Sequence, residues 1–382
     1  MSNLEELIEK LCPDGVEYKE LSEVLTIRNG KDYKHFGEGN VPVYGSGGIM
    51  TYIDTAVYEK PSVLIPRKGS LDKLYFVQEP FWTVDTIFYT DINVDIVEPK
   101  YIFYYLQKEH LEKLNKAGGV PSLTQSVLNK VKLPVPPLEV QREIVRILDN
   151  FTFLSAELAA ELAARQKQYE YYRDLLFLSL KAEYRFIPEF AKTYIGLVTT
   201  MTQHYVKEGV KLLFNSSVKE NHFDFPKMVY LDNEFAEKNS SRMHKLGDII
   251  TVHTGDVGTS AIIDETLEGS LGFATIVTRI YNQEDVLPKY VSYYLNSNEN
   301  KNNIYKLIKG DRNNLNLKDF NKLRVPIPSL EQQQRIVDIL DRFDTLCNDI
   351  TSGLPAEIEM RQKQYEYYRD KLLTFKELKK EA

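Results

Sequence analysis

Two glycine-rich loops and a basic turn in the first third of the chain carry side chains suited to binding a polyanion. Lysine and arginine neutralise phosphate groups, and arginine, asparagine and glutamine can also bind the edges of bases. The alternative interpretation is that these residues belong to ordinary solvated loops. We predict that they contact nucleic acid through the following residues of 30–40, 43–50 and 65–73: Lys31, Tyr33, Lys34, His35, Tyr44, Ser46, Arg67, Lys68 and Lys73.

A second set of candidate contacts lies where glycine-containing loops precede short helices or follow strands. Segment 118–130 and its counterpart 310–322 are typical of a loop that leads into a short helix, whose free N–H groups can contact phosphate. Segment 251–261 is typical of a strand followed by a glycine turn, and 301–314 is the best basic stretch of the second half. These segments add the following candidates: Gln125, His253, Thr254, Thr259, Lys309, Arg312 and Asn313.

The sequence contains no convincing catalytic or metal-binding motif. Asp14 and Glu17 in PDGVEYK imitate a nuclease pattern, but they are three residues apart and no strand context supports them. The phosphate-binding loop of ATPases is missing, and the six histidines show no metal-ligand spacing. Cys12 and Cys347 can form neither a disulfide framework nor a structural zinc site. We therefore predict neither catalytic residues nor a metal site in this chain.

The composition is that of a globular protein with two or three domains, or with one domain used twice. The chain has 382 residues, of which 43% are hydrophobic, and its net charge is −7. No apolar run approaches the ~18 residues that span a membrane, and the N-terminus lacks an apolar signal region, so a cytoplasmic protein is expected. Because nucleic-acid-binding domains usually carry a basic surplus, affinity for DNA must come from local clusters or from a partner.

An internal repeat dominates the organisation of the chain. RQKQYEYYRD occurs at 165–174 and, identically, at 361–370, and the block 135–151 closely resembles 327–343. Weaker similarity links YIFYYLQ with YVSYYLN, and Gly69 with Gly255. The rest of the two halves is dissimilar, which indicates two divergent modules, each followed by a near-copy of one helical segment.

The repeated segments have the periodicity of long helices. Residues 138–180 contain apolar residues at three- and four-residue steps without glycine or proline, and the second copy starts with a capping box at Ser329. Gly353 and Pro355 are expected to break or kink that second copy. The two copies can pair antiparallel, although ordinary core packing is an alternative. The residues assigned to these two paired spacer helices are Leu158, Leu162, Tyr169, Tyr172, Tyr365 and Tyr368.

The first module is predicted to mix strands and helices. Residues 62–66, 73–77 and 85–90 are rich in β-branched and aromatic residues, which favours strands, and 101–114 has the pattern of a helix. Trp82 is expected in the core. The whole chain then divides into four segments, listed here in order: 1–135, 136–182, 183–326 and 327–382.

Together these features resemble the specificity (S) subunit of type I restriction-modification systems over essentially the whole chain. The resemblance rests on the duplicated block from PPLEVQREIVRILDNF to RQKQYEYYRDLL, on the tetrapeptides SAEL and AAEL, and on the loops PVYGSGG, PSVLIPRKGS and FWTVDTIFY. It implies an α+β protein with an internal pseudo-two-fold repeat. Two α/β target-recognition domains, 1–135 and 183–326, would be separated by two long helices packed as an antiparallel coiled coil.

The resemblance also implies a function and a set of partners. Each recognition domain would read one half of a bipartite double-stranded DNA site, and the helices would dock two methyltransferase subunits, with restriction subunits in the full complex. No cofactor is expected on this chain, because S-adenosylmethionine, ATP and magnesium would be bound by the partner subunits. Two alternatives stay open at this point: a stand-alone nuclease or DNA methyltransferase, and a coiled-coil adaptor that binds proteins alone.

Overall fold

The computed structural model describes residues 2–115, 121–308, 314–349 and 351–378. The chain divides into two units, of which unit 1 contains Met1–Leu158 with Ile358–Ala382, and unit 2 contains Ala159–Glu357. The division falls inside the helical segments, so each unit contains part of both helical copies. The division into four segments stays a prediction.

Unit 1 contains a four-stranded sheet, a three-stranded sheet and a two-stranded ribbon. The strand orders are β2-β8-β5-β6, β4-β3-β7 and β1-β9, and β3 pairs in parallel with β7 at Val43 and Trp82. The elements are α1 (Ser2–Leu11), β1 (Tyr18–Glu20), α2 (Leu21–Val24), β2 (Leu25–Asn29), β3 (Val41–Gly45), β4 (Gly48–Ile53), β5 (Ser62–Pro66), β6 (Tyr75–Val77), β7 (Trp82–Thr83), β8 (Ile87–Ile92), α3 (Pro99–Lys108), α4 (Gln125–Leu128) and β9 (Lys132–Pro134).

The helical segments begin and end where local sequence signals predict. Helix α5 (Leu138–Leu178) is continuous, since it contains neither glycine nor proline, and this confirms the predicted long helix. It leads from unit 1 into unit 2, whose elements follow it in the chain.

Unit 2 repeats the ribbon and the antiparallel four-stranded sheet and enlarges the second sheet to four strands. The strand orders are β11-β20-β17-β18, β12-β16-β13-β19, β14-β15 and β10-β21. The elements are β10 (Glu183–Phe186), α6 (Ile187–Phe190), β11 (Ala191–Ile195), β12 (Tyr205–Val206), β13 (Val210–Phe214), β14 (Val218–Lys219), β15 (His222–Phe223), β16 (Val229–Leu231), α7 (Asn233–Lys238), β17 (Ile249–Thr251), β18 (Ser260–Ile262), β19 (Leu271–Phe273), β20 (Ile276–Ile280), α8 (Pro288–Leu295), α9 (Asn298–Leu307), α10 (Leu317–Phe320) and β21 (Arg324–Ile327).

The second helical copy forms two helices, α11 (Leu330–Asn348) and α12 (Leu354–Leu372), and confirms the predicted break. Ser329 is the N-cap of α11, where its side chain accepts a hydrogen bond from the N–H of Gln332. In unit 2, Tyr172 of α5 stacks on Phe343 of α11, and Leu176 lies beside Ile336. Because α5 positions increase while α11 positions decrease along this contact, these two helices run antiparallel.

The predicted strands of the first module are present with shifted bounds. Residues 62–66 form β5 as predicted, whereas the second and third strands begin at Tyr75 and Ile87. The helix predicted over 101–114 is wrong at its C-terminal end. It is α3, which ends at Lys108, and His110 then adopts the left-handed conformation with φ 50°. Trp82 is buried, and its Nε1 donates a hydrogen bond to the carbonyl oxygen of Lys31.

The two units use the equivalent halves of opposite helical copies. In unit 1, Phe151 of the first copy stacks on Tyr368 of the second copy, with ring centroids 5.4 Å apart. In unit 2, Phe343 of the second copy stacks on Tyr172 of the first copy at 5.8 Å. The N-terminal half of each copy therefore packs with the C-terminal half of the other.

A buried glutamine amide joins the start of each helical copy to the module before it. The Gln141 amide accepts a hydrogen bond from the N–H of Glu98 at 2.8 Å and donates to the carbonyl oxygen of Pro136 at 2.7 Å. Gln333 makes the same contacts in unit 2, with Leu287 at 2.9 Å and Pro328 at 2.9 Å. Both side chains are fully buried. An amide in this place satisfies backbone groups that no water reaches.

Two tyrosines on the helix before each repeat reinforce this junction. In unit 2, the hydroxyl of Tyr290 donates to the carbonyl oxygen of Pro326 at 2.6 Å, and that of Tyr293 donates to Asp341 at 2.6 Å. In unit 1, Tyr101 and Tyr104 make the corresponding bonds to Pro134 and Asp149. Part of the tyrosine surplus of the chain therefore serves internal packing.

We expect Gln141→Leu and Gln333→Leu each to lower the free energy of unfolding by ~2–4 kcal/mol, because each change leaves buried backbone groups without partners. Urea denaturation followed by circular dichroism measures the effect. Gln78→Leu is the matched control, since Gln78 is exposed. Buried substitutions that cost no more than this control would show that the amide does not stabilise the junction.

Candidate nucleic-acid interface

The basic turn of unit 1 is built where β5 ends. Gly69 of this turn has φ +83°, a conformation that favours glycine because glycine has no Cβ. The N–H of Gly69 donates to the carbonyl oxygen of Pro121, and the N–H of Leu123 donates to that of Arg67 at 2.9 Å. The turn therefore lies against the segment that leads into α4, the helix that begins at Gln125.

The glycine loop after β3 reaches the same place. The N–H of Ser46 donates to Oγ1 of Thr86 at 3.3 Å, while the carbonyl oxygen of Thr86 accepts from the N–H of Arg67 at 2.9 Å. Ser46, Arg67 and Lys68, which were predicted from separate segments, thus converge on Thr86. The sequence analysis missed Thr86, because nothing in its neighbourhood distinguishes it from an ordinary turn residue.

The charges of this site are mixed rather than purely basic. Lys68 lies 3.8 Å from the carboxylate of Asp85, and the guanidinium of Arg67 lies 5.8 Å from the centre of the Phe88 ring. Lys68 is exposed and Arg67 is partly buried. Lys73 is also exposed, beyond the turn. A polyanion that binds here would compete with Asp85 for Lys68.

Tyrosine hydroxyl groups line the loop after β3. The hydroxyl of Tyr75 donates to the carbonyl oxygen of Ser46 at 3.2 Å, and the rings of Tyr44 and Tyr75 lie 5.9 Å apart. Burial raises the pKa of both Tyr44 and Tyr75, so both hydroxyl groups keep their protons at neutral pH. The Tyr44 hydroxyl can donate a hydrogen bond to a ligand, whereas Tyr75 already donates its proton to Ser46, and neither group contributes negative charge.

The loop 30–40 is attached to the second sheet of unit 1. The N–H of Lys31 donates to the carbonyl oxygen of Thr83 at 2.8 Å, and Tyr33 packs beside Trp82. Lys31, Lys34 and His35 are exposed. This loop thus presents three exposed side chains from a backbone that β7 holds in place.

Unit 2 builds a turn of the same geometry from different residues. The N–H of Leu315 donates to the carbonyl oxygen of His253 at 2.9 Å, as Leu123 does to Arg67, and Gly255 has φ +97°. Thr254 bridges to Asn314 as Lys68 bridges to Ser122. This equivalence confirms the predicted match between Gly69 and Gly255.

The His253 side chain is oriented by two hydrogen bonds around it. Its Nδ1 donates to the carbonyl oxygen of Leu315 at 2.7 Å, since a carbonyl oxygen can only accept. Its backbone N–H donates to Oδ1 of Asn215 at 2.9 Å. Asn215 lies in the region 183–245, in which the sequence analysis identified no candidate contact.

Thr259 is not a surface contact. It is 1% exposed, so the prediction that it contacts nucleic acid is wrong: the chain turns inward at β18, and Thr259 enters the core. Thr254 is exposed, whereas His253 is partly buried. Lys309, Arg312 and Asn313 lie outside the described residues.

The six residues predicted on the helices form three pairs. The rings of Tyr169 and Tyr365 are buried in the cores of their own units, where they fill the space between helix and module, so the helices do not present these rings as an exposed docking surface. Leu158 and Leu162 are half-buried. Tyr172 and Tyr368 belong to the two ring stacks described above. Tyr171 and Tyr367, for which no role was predicted, are the most exposed tyrosines of the two decapeptides, at 64% and 62%.

Strand β4 carries three exposed apolar side chains that sequence reasoning missed. Ile49, Met50 and Tyr52 are 50%, 58% and 52% exposed. They lie in a largely apolar segment, interrupted by Thr51, and such a segment suggests buried side chains when only the sequence is considered. The pairing of β4 at the edge of its sheet leaves these side chains uncovered.

The model of the type I restriction modification DNA specificity domain matches residues 13–164 and 206–360, which is most of the chain. The chain belongs to this family. The two matched stretches include the turns at Gly69 and Gly255 and most of both helical copies. The predicted resemblance and the α+β fold with a repeated domain are thereby confirmed.

Two relatives of the family cover most of this chain. A putative type I restriction enzyme specificity subunit from Haemophilus influenzae is 33% identical over 98% of this chain and 100% of its own length. A type I restriction enzyme specificity subunit from Escherichia coli is 35% identical over 72% of this chain and 70% of its own length.

A solved structure supports the same fold. The S subunit of a type I restriction-modification system from M. genitalium has a TM-score of 0.56 at 15% identity, covering 94% of this chain and 96% of that chain. A chain solved in a study of complex assembly in a type I system has a TM-score of 0.63 at 16% identity, covering 94% and 98%.

No group of three or more histidine, cysteine, aspartate or glutamate side chains among the described residues could hold a metal ion. No helix within the described part of the chain has the length and apolar character needed to cross a bilayer.

Proposed function

We propose that this chain is the DNA sequence-specificity subunit of a type I restriction-modification complex. Unit 1 and unit 2 each bind one half of a bipartite double-stranded DNA site. The observation that carries the proposal is the pair of equivalent turns at 67–69 and 253–255. Their backbones match, while their side chains differ at every position but the glycine. Two different sequences can thus be bound from one repeated framework.

The family and the repeated helices support a set of partners for the proposed complex. Two methyltransferase subunits bind to the helical copies, and restriction subunits join the full complex. S-adenosylmethionine, ATP and magnesium belong to those subunits, which perform the chemistry. The net charge of −7 is compatible with this assignment, because partner subunits can supply further phosphate contacts.

We expect the purified chain alone to show no methyl transfer, DNA cleavage or ATP hydrolysis, since its sequence has no motif for these reactions. Assays with labelled S-adenosylmethionine, with plasmid DNA and with ATP test this. Turnover that is lost on Asp14→Ala or Glu17→Ala would instead support a stand-alone nuclease.

The double substitution Arg67→Ala with Lys68→Ala should weaken DNA binding by the complex with methyltransferase subunits. If both side chains contact phosphate, the salt slope of the binding constant falls by up to ~2. Fluorescence anisotropy at a series of salt concentrations measures the slope. Lys167→Ala with Lys363→Ala removes two exposed charges at equivalent positions of the helices and should leave it unchanged. Equal slopes for both double variants would exclude the turn from phosphate contact.

Insertion of AAEL after Leu162 tests the spacer role of α5. Alanine, glutamate and leucine favour helix, so four added residues lengthen α5 by ~6 Å and rotate it ~40° beyond one turn. DNA rises ~3.4 Å and turns ~35° per base pair. The gap between the half-sites should therefore grow by one or two base pairs, while the half-site sequences stay the same, because no loop changes.

Mapping of methylated sites in cells that carry the insertion variant measures the gap. Ser155→Ala converts SAEL to AAEL without added length and is the matched control, for which we expect the original gap. An active insertion variant whose gap is unaltered would show that this part of α5 is only surface helix.

A further inference from the structure

Unit 1 contains a polar cleft between α3 and α12 that the contacts described so far do not use. Its volume is about 260 Å³. Tyr365 and Arg369 of α12 line one side, and Gln107 of α3 lines the other. The remaining polar side chains of the lining are Asp72, His110, Glu112 and Gln362.

Unit 2 has the same three residue positions, but there they surround a turn of the chain. Tyr169 and Arg173 of α5 correspond to Tyr365 and Arg369 in the identical decapeptide, and Asn296 corresponds to Gln107 in the matched segments of α8 and α3. The hairpin of β14 and β15 inserts its two-residue turn, Glu220 and Asn221, among them. Unit 2 therefore shows what this set of residues can bind.

The carboxamide of Asn221 is held on both of its ends. Its Nδ2 donates to the hydroxyl of Tyr169 at 2.9 Å, and its Oδ1 accepts from Nδ2 of Asn296 at 2.8 Å. Asn221 has φ 64°, and its backbone N–H donates to the carbonyl oxygen of Ser260 at 2.9 Å. Asparagine tolerates this left-handed conformation better than most residues do, so a turn that ends in asparagine suits the place.

In unit 1 the corresponding residues bond to each other instead. The hydroxyl of Tyr365 donates directly to Oε1 of Gln107 at 3.1 Å. Nε2 of Gln107 has no hydrogen-bond partner within the described ranges. Gln107 thus offers the donor that Asn296 uses for Asn221, and the Tyr365 hydroxyl can accept a hydrogen bond from an incoming amide.

The charged residues around the turn of unit 2 differ from those around the cleft of unit 1. This difference favours a neutral ligand in unit 1. In unit 2 the carboxylate of Glu220 binds Arg173 at 2.9 Å and also binds Lys301. Arg369 of unit 1 bonds to Asp370 at 2.8 and 2.9 Å, as Arg173 bonds to Asp174 at 3.4 Å, so this pair does not distinguish the two sites. Two carboxylates, Asp72 and Glu112, also line the cleft. These two carboxylates would repel a further acidic side chain that entered the cleft, but they would not repel a neutral carboxamide.

We propose that the cleft of unit 1 is a binding site for a turn of a partner protein that presents an asparagine side chain. The carboxamide enters between Tyr365 and Gln107 and makes the two hydrogen bonds that Asn221 makes in unit 2. Because unit 2 fills the same place with its own hairpin, only unit 1 offers this contact. This inference goes beyond the proposed function, since it requires neither DNA nor catalysis.

A cyclised peptide of residues 217–224 with Glu220→Gln is the probe, since the N–H of Asp224 already donates to the carbonyl oxygen of Ser217 and closes this hairpin. Titration into the full chain, followed by calorimetry, should show saturable binding with one peptide per chain. Changing Asn221→Asp or Asn221→Leu in the peptide should weaken binding about tenfold or more, because a buried partner is left unsatisfied. Binding that is unaffected by both changes, or no saturable binding at millimolar peptide, would overturn the proposal.

The protein variant Gln107→Glu separates this site from any other. Glutamate keeps the acceptor for Tyr365 but removes the free donor, so the fold is preserved and peptide binding should be lost. Gln78→Glu makes the same change at an exposed position outside the cleft and should leave binding intact. Peptide binding that survives Gln107→Glu would place the peptide elsewhere and refute the site. A chain that binds the peptide but no DNA would contradict only the proposed function.

Discussion

The buried amides of Gln141 and Gln333 are the contacts on which the arrangement of each unit depends. Each amide lies at the first turn of a helical copy and bonds to the backbone that leads into the preceding helix, α3 or α8. Because a buried amide must satisfy donors and acceptors in definite directions, it allows one placement of helix against module. The tyrosines that bond to Asp149 and Asp341 lie on the same helices and reinforce that placement.

This rigid junction explains how the rest of each module can diverge. The turns at Gly69 and Gly255 share their backbone hydrogen bonds, although Arg67 and Lys68 are replaced by His253 and Thr254. The second sheets differ in strand number as well. Side chains on the turns are therefore free to change what they bind, while the junction and the helices keep a constant geometry. Under the proposed function, this separation lets the two DNA half-sites differ while the helices that dock identical partners stay the same.

The repeat is nevertheless unequal at one buried place. Identical tyrosine and arginine positions of the helical copies bind an internal turn in unit 2 and border an open cleft in unit 1. The sequence identity of the decapeptide conceals this difference, because it arises from the hairpin at 218–223 in unit 2 and from Asp72 and Glu112 in unit 1. Helices with the same sequence thus present different surfaces, depending on the module that packs against them.

Local sequence signals alone determined the repeat, the continuous helix α5, the capped start at Ser329 and the break near Gly353. Each of these depends on neighbouring residues: periodic apolar positions, a capping side chain, or a glycine and a proline. The basic turn and the glycine loop were also recognisable as candidate contacts from residue type. The early end of α3 was not, since the left-handed His110 depends on its surroundings.

Tertiary structure alone decided which of these features meet. It paired Phe151 with Tyr368 and Phe343 with Tyr172, brought Ser46 and Arg67 to Thr86, and buried Thr259 and Tyr169. These outcomes depend on contacts between residues far apart in the chain, for which single-sequence periodicity carries no information. Periodicity shows that a helix has an apolar face, but the shape of the opposing surface decides which residues of that face become core and which remain available to a partner.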